Sequence, residues 1–119
     1  MSIKEKAKNL HELILNGQML DAFEKYYDED VVMQENNHEP RKGKTYNRAH
    51  EEKFLGSIEE FYGAKVHSVA VDEQDGKVAA EWTLDLKFQG APRMQMNQVS
   101  VQTWKDGKVV HEKFYYNEN

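Results

Sequence analysis

A chain of 119 residues has room for one hydrophobic core and not for two, so its 39% hydrophobic and 31% charged residues describe a single domain over 1–119. Sixteen basic residues against 21 acidic ones give a formal charge of -5, and no run of Lys or Arg forms a stripe able to neutralise phosphates, so nucleic acid is not an expected partner. The absence of cysteine excludes disulfides, thiol catalysis and thiolate metal sites; with no signal-peptide core and no apolar run near the ~20 residues of a membrane span, the expectation is a cytoplasmic protein with no membrane partner.

Ser2 followed three residues later by Glu5 has the pattern of a capping box, in which each side chain satisfies a backbone N–H that the first helical turn leaves free. Ile3, Ala7, Leu10 and Ile14 then recur every three or four residues, predicting one buried stripe on a helix that ends near Gly17. Met19, Ala22, Phe23, Tyr26 and Tyr27 repeat that spacing and predict a short second helix ending around Asp28. The segment 31–35 is β-branched at its start and too short for anything but a strand. A polar loop is expected over 36–44, which contains Pro40 and Gly43. Thr45 is placed to cap a third and longest helix, roughly 46–62, with Phe54, Leu55, Ile58, Phe61 and Tyr62 on its apolar face and Gly63 at its end.

From Lys65 onward the apolar period becomes 2. Strands are predicted at 65–73, 77–89, 93–105 and 108–117, separated by Asp75-Gly76, Gly90-Ala91-Pro92 and Asp106-Gly107. Asp106-Gly107 between arms rich in Val, Thr and aromatics is a strong signal for a tight hairpin. Connections this short favour an antiparallel meander over parallel crossovers. Along the second of these strands Val78, Ala80, Trp82, Leu84, Leu86 and Phe88 alternate with Ala79, Glu81, Thr83, Asp85 and Lys87, giving one dry and one wet face. Helices first and strands last predict an α+β fold with the helices packed on one face of a strongly twisted sheet.

That order of elements, the stretch from Phe23 to Val32 leading to Glu35, the Gly43-Lys44 before the third helix, and the ending Asp106-Gly107-Lys108-Val109-Val110-His111-Glu112-Lys113-Phe114-Tyr115-Tyr116 together resemble the nuclear transport factor 2-like superfamily. Within it the SnoaL-like domains are most similar. The resemblance implies a cystatin-like cone: a curved antiparallel sheet, three helices on its concave face, and a pocket between the two. It also implies, as commonly found in the superfamily, a homodimer through the outer surface of the sheet. Ketosteroid isomerases, polyketide cyclases, dehydratases, epoxide hydrolases and pure binding or scaffold proteins all share this fold, so the resemblance implies a pocket without naming a reaction.

Glu112 is the first candidate for chemistry. Strand alternation puts it on the face of Val110, Phe114 and Tyr116, and a carboxyl on an apolar face has the raised pKa that a general acid or base requires near neutral pH. The alternative is a carboxylate paired with Arg or Lys, or one facing water at a sheet edge. Glu35 shares parity with Val31 and Met33; if that face looks inward, Glu35 and Glu112 form a carboxylate pair suited to acid and base work, and otherwise Glu35 is a surface residue before a loop.

Met33, Trp82, Met96, Gln98, Phe114 and Tyr116 are the candidate ligand contacts, each also suited to plain core packing. On the third of the meander strands neither Met94, Met96, Gln98, Ser100, Gln102 and Trp104 nor the intervening Gln95, Asn97, Val99, Val101 and Thr103 make a purely polar face, as expected for a sheet covered by helices within and a partner subunit without. His11, His38, His50, His67 and His111 lack the paired spacing of a metal site, and there is neither a Gly-x-Ser-x-Gly nucleophile nor a glycine-rich phosphate loop. No metal and no cofactor are therefore expected. Three functions follow: binding of a mostly apolar small molecule, placed ahead of the others; a cofactor-free isomerase, cyclase, dehydratase or hydrolase using Glu112 and Glu35; or a protein-interaction module acting through the outer sheet face.

Overall fold

The computed structural model describes residues 2–118. Helices α1 (Ile3–Leu15) and α2 (Met19–Tyr26) lead into strand β1 (Tyr27–Glu35), the two-residue β2 (Arg41–Lys42) and helix α3 (Lys44–Gly56); then come β3 (Ile58–Asp72), β4 (Lys77–Phe88), β5 (Met94–Lys105) and β6 (Lys108–Tyr116). All six strands form one sheet in the order β2-β1-β6-β5-β4-β3. It is antiparallel except where β1 lies parallel to β6, a pairing of strands from opposite ends of the chain. Bulges in β3, in β1 and between β5 and β6 bend it into an open cone, because each extra residue turns its strand. Among the described residues no helix is long and apolar enough to cross a membrane.

The capping box is present: Ser2 accepts from the Glu5 backbone N–H while Glu5 reaches back to Ser2. A second anchor holds the same helix end, since the Glu73 carboxylate accepts the N–H groups of Ile3 and Lys4 at 3.0 and 2.9 Å, a favourable place for negative charge. Ala7 and Leu10 of α1, Ala22, Phe23 and Tyr26 of α2, and Val31, Met33, Val78, Trp104 and Val109 of the sheet make one core cluster. Ala80, Trp82, Leu84 and Leu86 make a second, farther up β4. At the final hairpin both Asp106 (φ 52°) and Gly107 (φ 79°) are left-handed, the turn geometry whose twist matches that of the flanking strands.

The first half departs from the sequence expectations in four places. Helix α2 stops at Tyr26, so Tyr27 opens β1, which is longer than 31–35. The loop over 36–44 contains β2, paired with β1 through Val32 and Met33. The cap of α3 is Gly43 (φ 95°), not Thr45, and no side chain caps it. Finally, α3 ends at Gly56 and residues 58–62 belong to β3, whose pairing runs from Ile58 opposite Phe88 to Asp72 opposite Lys77. The spacing of Phe54, Leu55, Ile58, Phe61 and Tyr62 fits a helix, but long-range pairing with β4 overrides a local pattern built largely of β-favouring residues.

One further correction bears on the site. Trp104 faces Val109 and Thr103 faces His111, so β6 carries an extra residue between its inward positions. Val109, fully buried, and not Val110, is therefore the inward neighbour that precedes Glu112.

Candidate functional site

Between the sheet and the helices lie two adjoining chambers, each partly open to solvent. The inner one, about 70 Å³, lies between α1, α2 and the middle of the sheet; Leu10, Ile14, Phe23, Trp82 and Phe114 supply much of its apolar wall and Glu112 stands in its lining. The outer one, about 510 Å³, is bordered by Glu35, His38, Glu39, Arg41, His50, Phe54, Met96 and Tyr116. Met19, Glu51, Leu84, Gln98 and Phe114 border both.

Glu112 is only 3% exposed. It is nonetheless fully partnered. Tyr27 donates its hydroxyl proton to Oε1, and Gln102, directly across the β5–β6 ladder, donates from Nε2 to Oε2 at 2.8 Å. Trp104 donates its indole N–H to the Gln102 carbonyl oxygen at 3.0 Å. That bond fixes the amide orientation, because a flipped Gln102 would set NH2 against the indole N–H. Trp104, Gln102 and Tyr27 thus hold the carboxyl in one position. Burial raises Glu112 to about 7, offset in part by the bonds from Tyr27 and Gln102, with Glu35 pushing up and Arg41 pulling down. Burial, followed by the charge on Glu112, pushes the Tyr27 hydroxyl well above its usual range.

Glu51 comes from α3. It keeps some contact with water, yet its crowded surroundings raise it to about 7, and the second cause of the rise is Glu112. Both carboxyls border one chamber and are raised to about 7, so each holds a proton part of the time near neutrality, and the charge of Glu112 disfavours that of Glu51.

Glu35 ends β1 in an ion pair with Arg41 Nη1. Arg41 Nε donates to Asn47 Oδ1 at 3.1 Å, and Asn47, fully buried, returns bonds to the carbonyls of Arg41 and Gly43 at 3.0 and 2.8 Å. This exchange ties β2 to the first turn of α3 and fixes the guanidinium against the outer chamber. His11 is buried with its ring edge-on to Trp82 at 5.3 Å, and burial lowers its pKa, so it is neutral at pH 7.

Of the residues singled out from sequence, Glu112, Met33 and Trp82 border the inner chamber, Glu35, Met96 and Tyr116 the outer, and Gln98 and Phe114 both. Glu35 and Glu112 are therefore brought to neighbouring chambers and not to one. The carboxyl that borders the same chamber as Glu112 is Glu51, hidden in the sequence on the polar side of a helix. Tyr27, Gln102, Arg41 and His50 also lay outside the sequence reading of the site. Gln102 alone left a signal, standing on the inward parity of its strand. Among the described residues no group of three or more His, Cys, Asp or Glu is arranged to hold a metal ion.

A family model described as the SnoaL-like domain matches residues 1–116. Among solved structures, a Mesorhizobium loti protein provisionally described as a SnoaL-like polyketide cyclase is 28% identical with a TM-score of 0.87; the match covers 98% of this chain and 100% of that one. A Bacillus subtilis protein provisionally described as an isomerase is 20% identical with a TM-score of 0.83, covering 98% and 90%. An epoxide hydrolase of M. tuberculosis is 21% identical with a TM-score of 0.74, covering 95% and 84%. The latter two likenesses are of fold alone. No curated protein matches.

Proposed function

The chain belongs to the SnoaL-like domain family, and from that premise we propose that its cone is a pocket for a small, mostly apolar molecule. The observation that carries this is the pair of adjoining chambers walled by Leu10, Phe23, Trp82, Leu84 and Phe114, with a few convergent polar groups among them. NMR titration with 2-ethylnaphthalene, 2-acetylnaphthalene and 2-naphthoate tests it: saturable shifts at Met33, Trp82 and Phe114 are expected, and their absence with all three would remove the pocket.

A second function, cofactor-free acid–base catalysis, is favoured by one specific observation: Glu112 and Glu51 border the same chamber and both are raised to about 7. In that protonation range one carboxylate takes a proton from carbon beside a carbonyl, the bonding electrons move onto the carbonyl oxygen, and the proton is returned to carbon as they move back. Exchange of the methyl protons of 2-acetylnaphthalene in D2O measures this step without knowledge of the physiological substrate. Exchange faster than buffer and lost in Glu112→Gln supports catalysis; exchange equal to buffer leaves a binding protein.

The outer face of the sheet is proposed as a homodimer surface. Ala79 pairs with Val101 and Val99 with Tyr115 on the side away from the helices, and Tyr115 is 46% exposed, so a small apolar area is open to a partner. Sedimentation at micromolar concentration checks it, with a species of twice 13.9 kDa expected and a monomer counting against it. A cytoplasmic location, in keeping with the cysteine-free composition, belongs to the same proposal.

A further inference from the structure

Two buried side-chain atoms among the described residues have no hydrogen-bond partner, Nη2 of Arg41 and Nδ1 of His50. Both residues border the outer chamber. They come from different elements, β2 and α3, and each is otherwise held in place: Arg41 by Glu35 and Asn47, and His50 within a helix whose next residue is Glu51. A buried polar nitrogen without a partner carries a desolvation cost, and two on residues that border one chamber mark a place where a small shift lets an incoming group complete the bonding.

We propose that Arg41 and His50 form a polar subsite in the wall of the outer chamber that binds an uncharged acceptor oxygen of the ligand, such as a ketone, ester or amide carbonyl. The proposal rests on the outer chamber being a ligand pocket, and it adds which end of the ligand that chamber selects.

The charge of the surroundings decides for an uncharged oxygen over an anion. Among the described residues Arg41 is the one arginine or lysine bordering the outer chamber, and its Nη1 is already taken by the Glu35 carboxylate. Glu39 and Glu51 border the same space, and His38 faces Glu118 at 2.7 Å. A ligand carboxylate placed on Nη2 would sit beside Glu35 with no unpaired cation to offset the repulsion. A neutral carbonyl meets no such penalty. Burial, and next the charge of Arg41, lower the His50 pKa, so the ring is neutral at pH 7 and its Nδ1 donates in the tautomer that carries the proton there.

The arrangement also fixes a direction. With its oxygen held at Arg41 and His50, the remainder of a ligand extends past Glu51, Leu84, Gln98 and Phe114 into the inner chamber. An apolar molecule with a carbonyl at one end satisfies both chambers at once.

Three probes with a common naphthalene body test the subsite: 2-ethylnaphthalene, 2-acetylnaphthalene and 2-naphthoate, with dissociation constants measured for the full chain at pH 7. The expected result is that the ketone binds about tenfold more tightly than the hydrocarbon, as one hydrogen bond to a charged donor allows, and more tightly than the carboxylate. Arg41→Lys and His50→Phe should each bring the ketone-to-hydrocarbon ratio to about threefold or below; the ratio is read within each variant, so a general loosening of the pocket cancels. Should either variant fail to fold, the imidazole ¹⁵N shifts of His50 in the wild-type protein serve instead, moving with the ketone and not with the hydrocarbon. Equal affinity for ketone and hydrocarbon, tighter binding of naphthoate, a ratio preserved in both variants, or ¹⁵N shifts indifferent to the ketone would overturn the subsite while leaving the pocket standing. Failure of all three probes to bind would remove the pocket itself.

Discussion

The two chambers treat their polar groups in opposite ways. In the inner one Tyr27, Gln102, Trp104 and Glu112 complete one another's hydrogen bonds, and the carboxyl is left with a proton whose occupancy burial has made uncertain near neutral pH. In the outer one Arg41 and His50 keep a nitrogen each without a protein partner. A closed network sets where its carboxyl titrates; an open one sets an affinity. The difference separates what the fold does to its own carboxyl from what it leaves for a ligand to do, and it makes the chambers respond differently to perturbation.

The largest contrast is with pH. Glu112 has a folded pKa raised to about 7 against an ordinary value of 4.5, so between those values the folded state holds a proton that the unfolded state has lost. Stability is fully present below about pH 4.5 and falls as pH rises through 7, by about 3 kcal/mol from this one group. Glu51 acts in the same direction and window, by less, because it keeps some solvent contact. Urea denaturation at pH 5 and pH 8 should show the fall in the wild type and a much smaller one in Glu112→Gln, whose amide can accept from Gln102 and donate to the Tyr27 oxygen.

Next in size is Gln102→Leu, which strips Glu112 of one donor and leaves the Trp104 N–H buried without a partner. A loss of about 2 to 3 kcal/mol at pH 7 is expected, together with a Glu112 midpoint above that of the wild type. An unchanged midpoint would show that the ladder partner does not tune the carboxyl. At the outer chamber Arg41→Lys keeps a charge opposite Glu35 but gives up the Nε–H that Arg41 donates to the buried Asn47, and should cost about 1 kcal/mol. A cost comparable to that of Gln102→Leu would erase the distinction between a network that holds the fold and one that waits for a ligand.

Much of the second half was legible in the sequence. Period-2 alternation and the Asp106-Gly107 turn carry β4, β5 and β6 almost to their ends, because each connection is local and the alternation reports burial directly. The same logic failed for β3. Its first residues, Ile58 to Tyr62, keep a helical spacing while their partners lie nearly thirty residues away on β4, and no local window contains that pairing. Glu112 was legible as a carboxyl on an inward face, but the bulge that replaces Val110 with Val109 beside it was not. Glu51 was illegible for another reason: it reads as one of many charges on α3, and only the packing of that helix over the chamber removes it from water. Arg41 depended on a two-residue strand inside an expected loop, and His50 on which side of an expected helix turns to the chamber. Turn chemistry and alternation are written locally; convergence of side chains from distant elements is not.

The most direct test of the central claim, that the fold holds Glu112 as a buried carboxyl poised near neutrality, is a ¹³C NMR titration of its side-chain carboxyl carbon in the wild-type protein. A midpoint at about 7 is the predicted result, with the Glu51 signal titrating in the same range. A Glu112 midpoint at the ordinary value of 4.5 would contradict it.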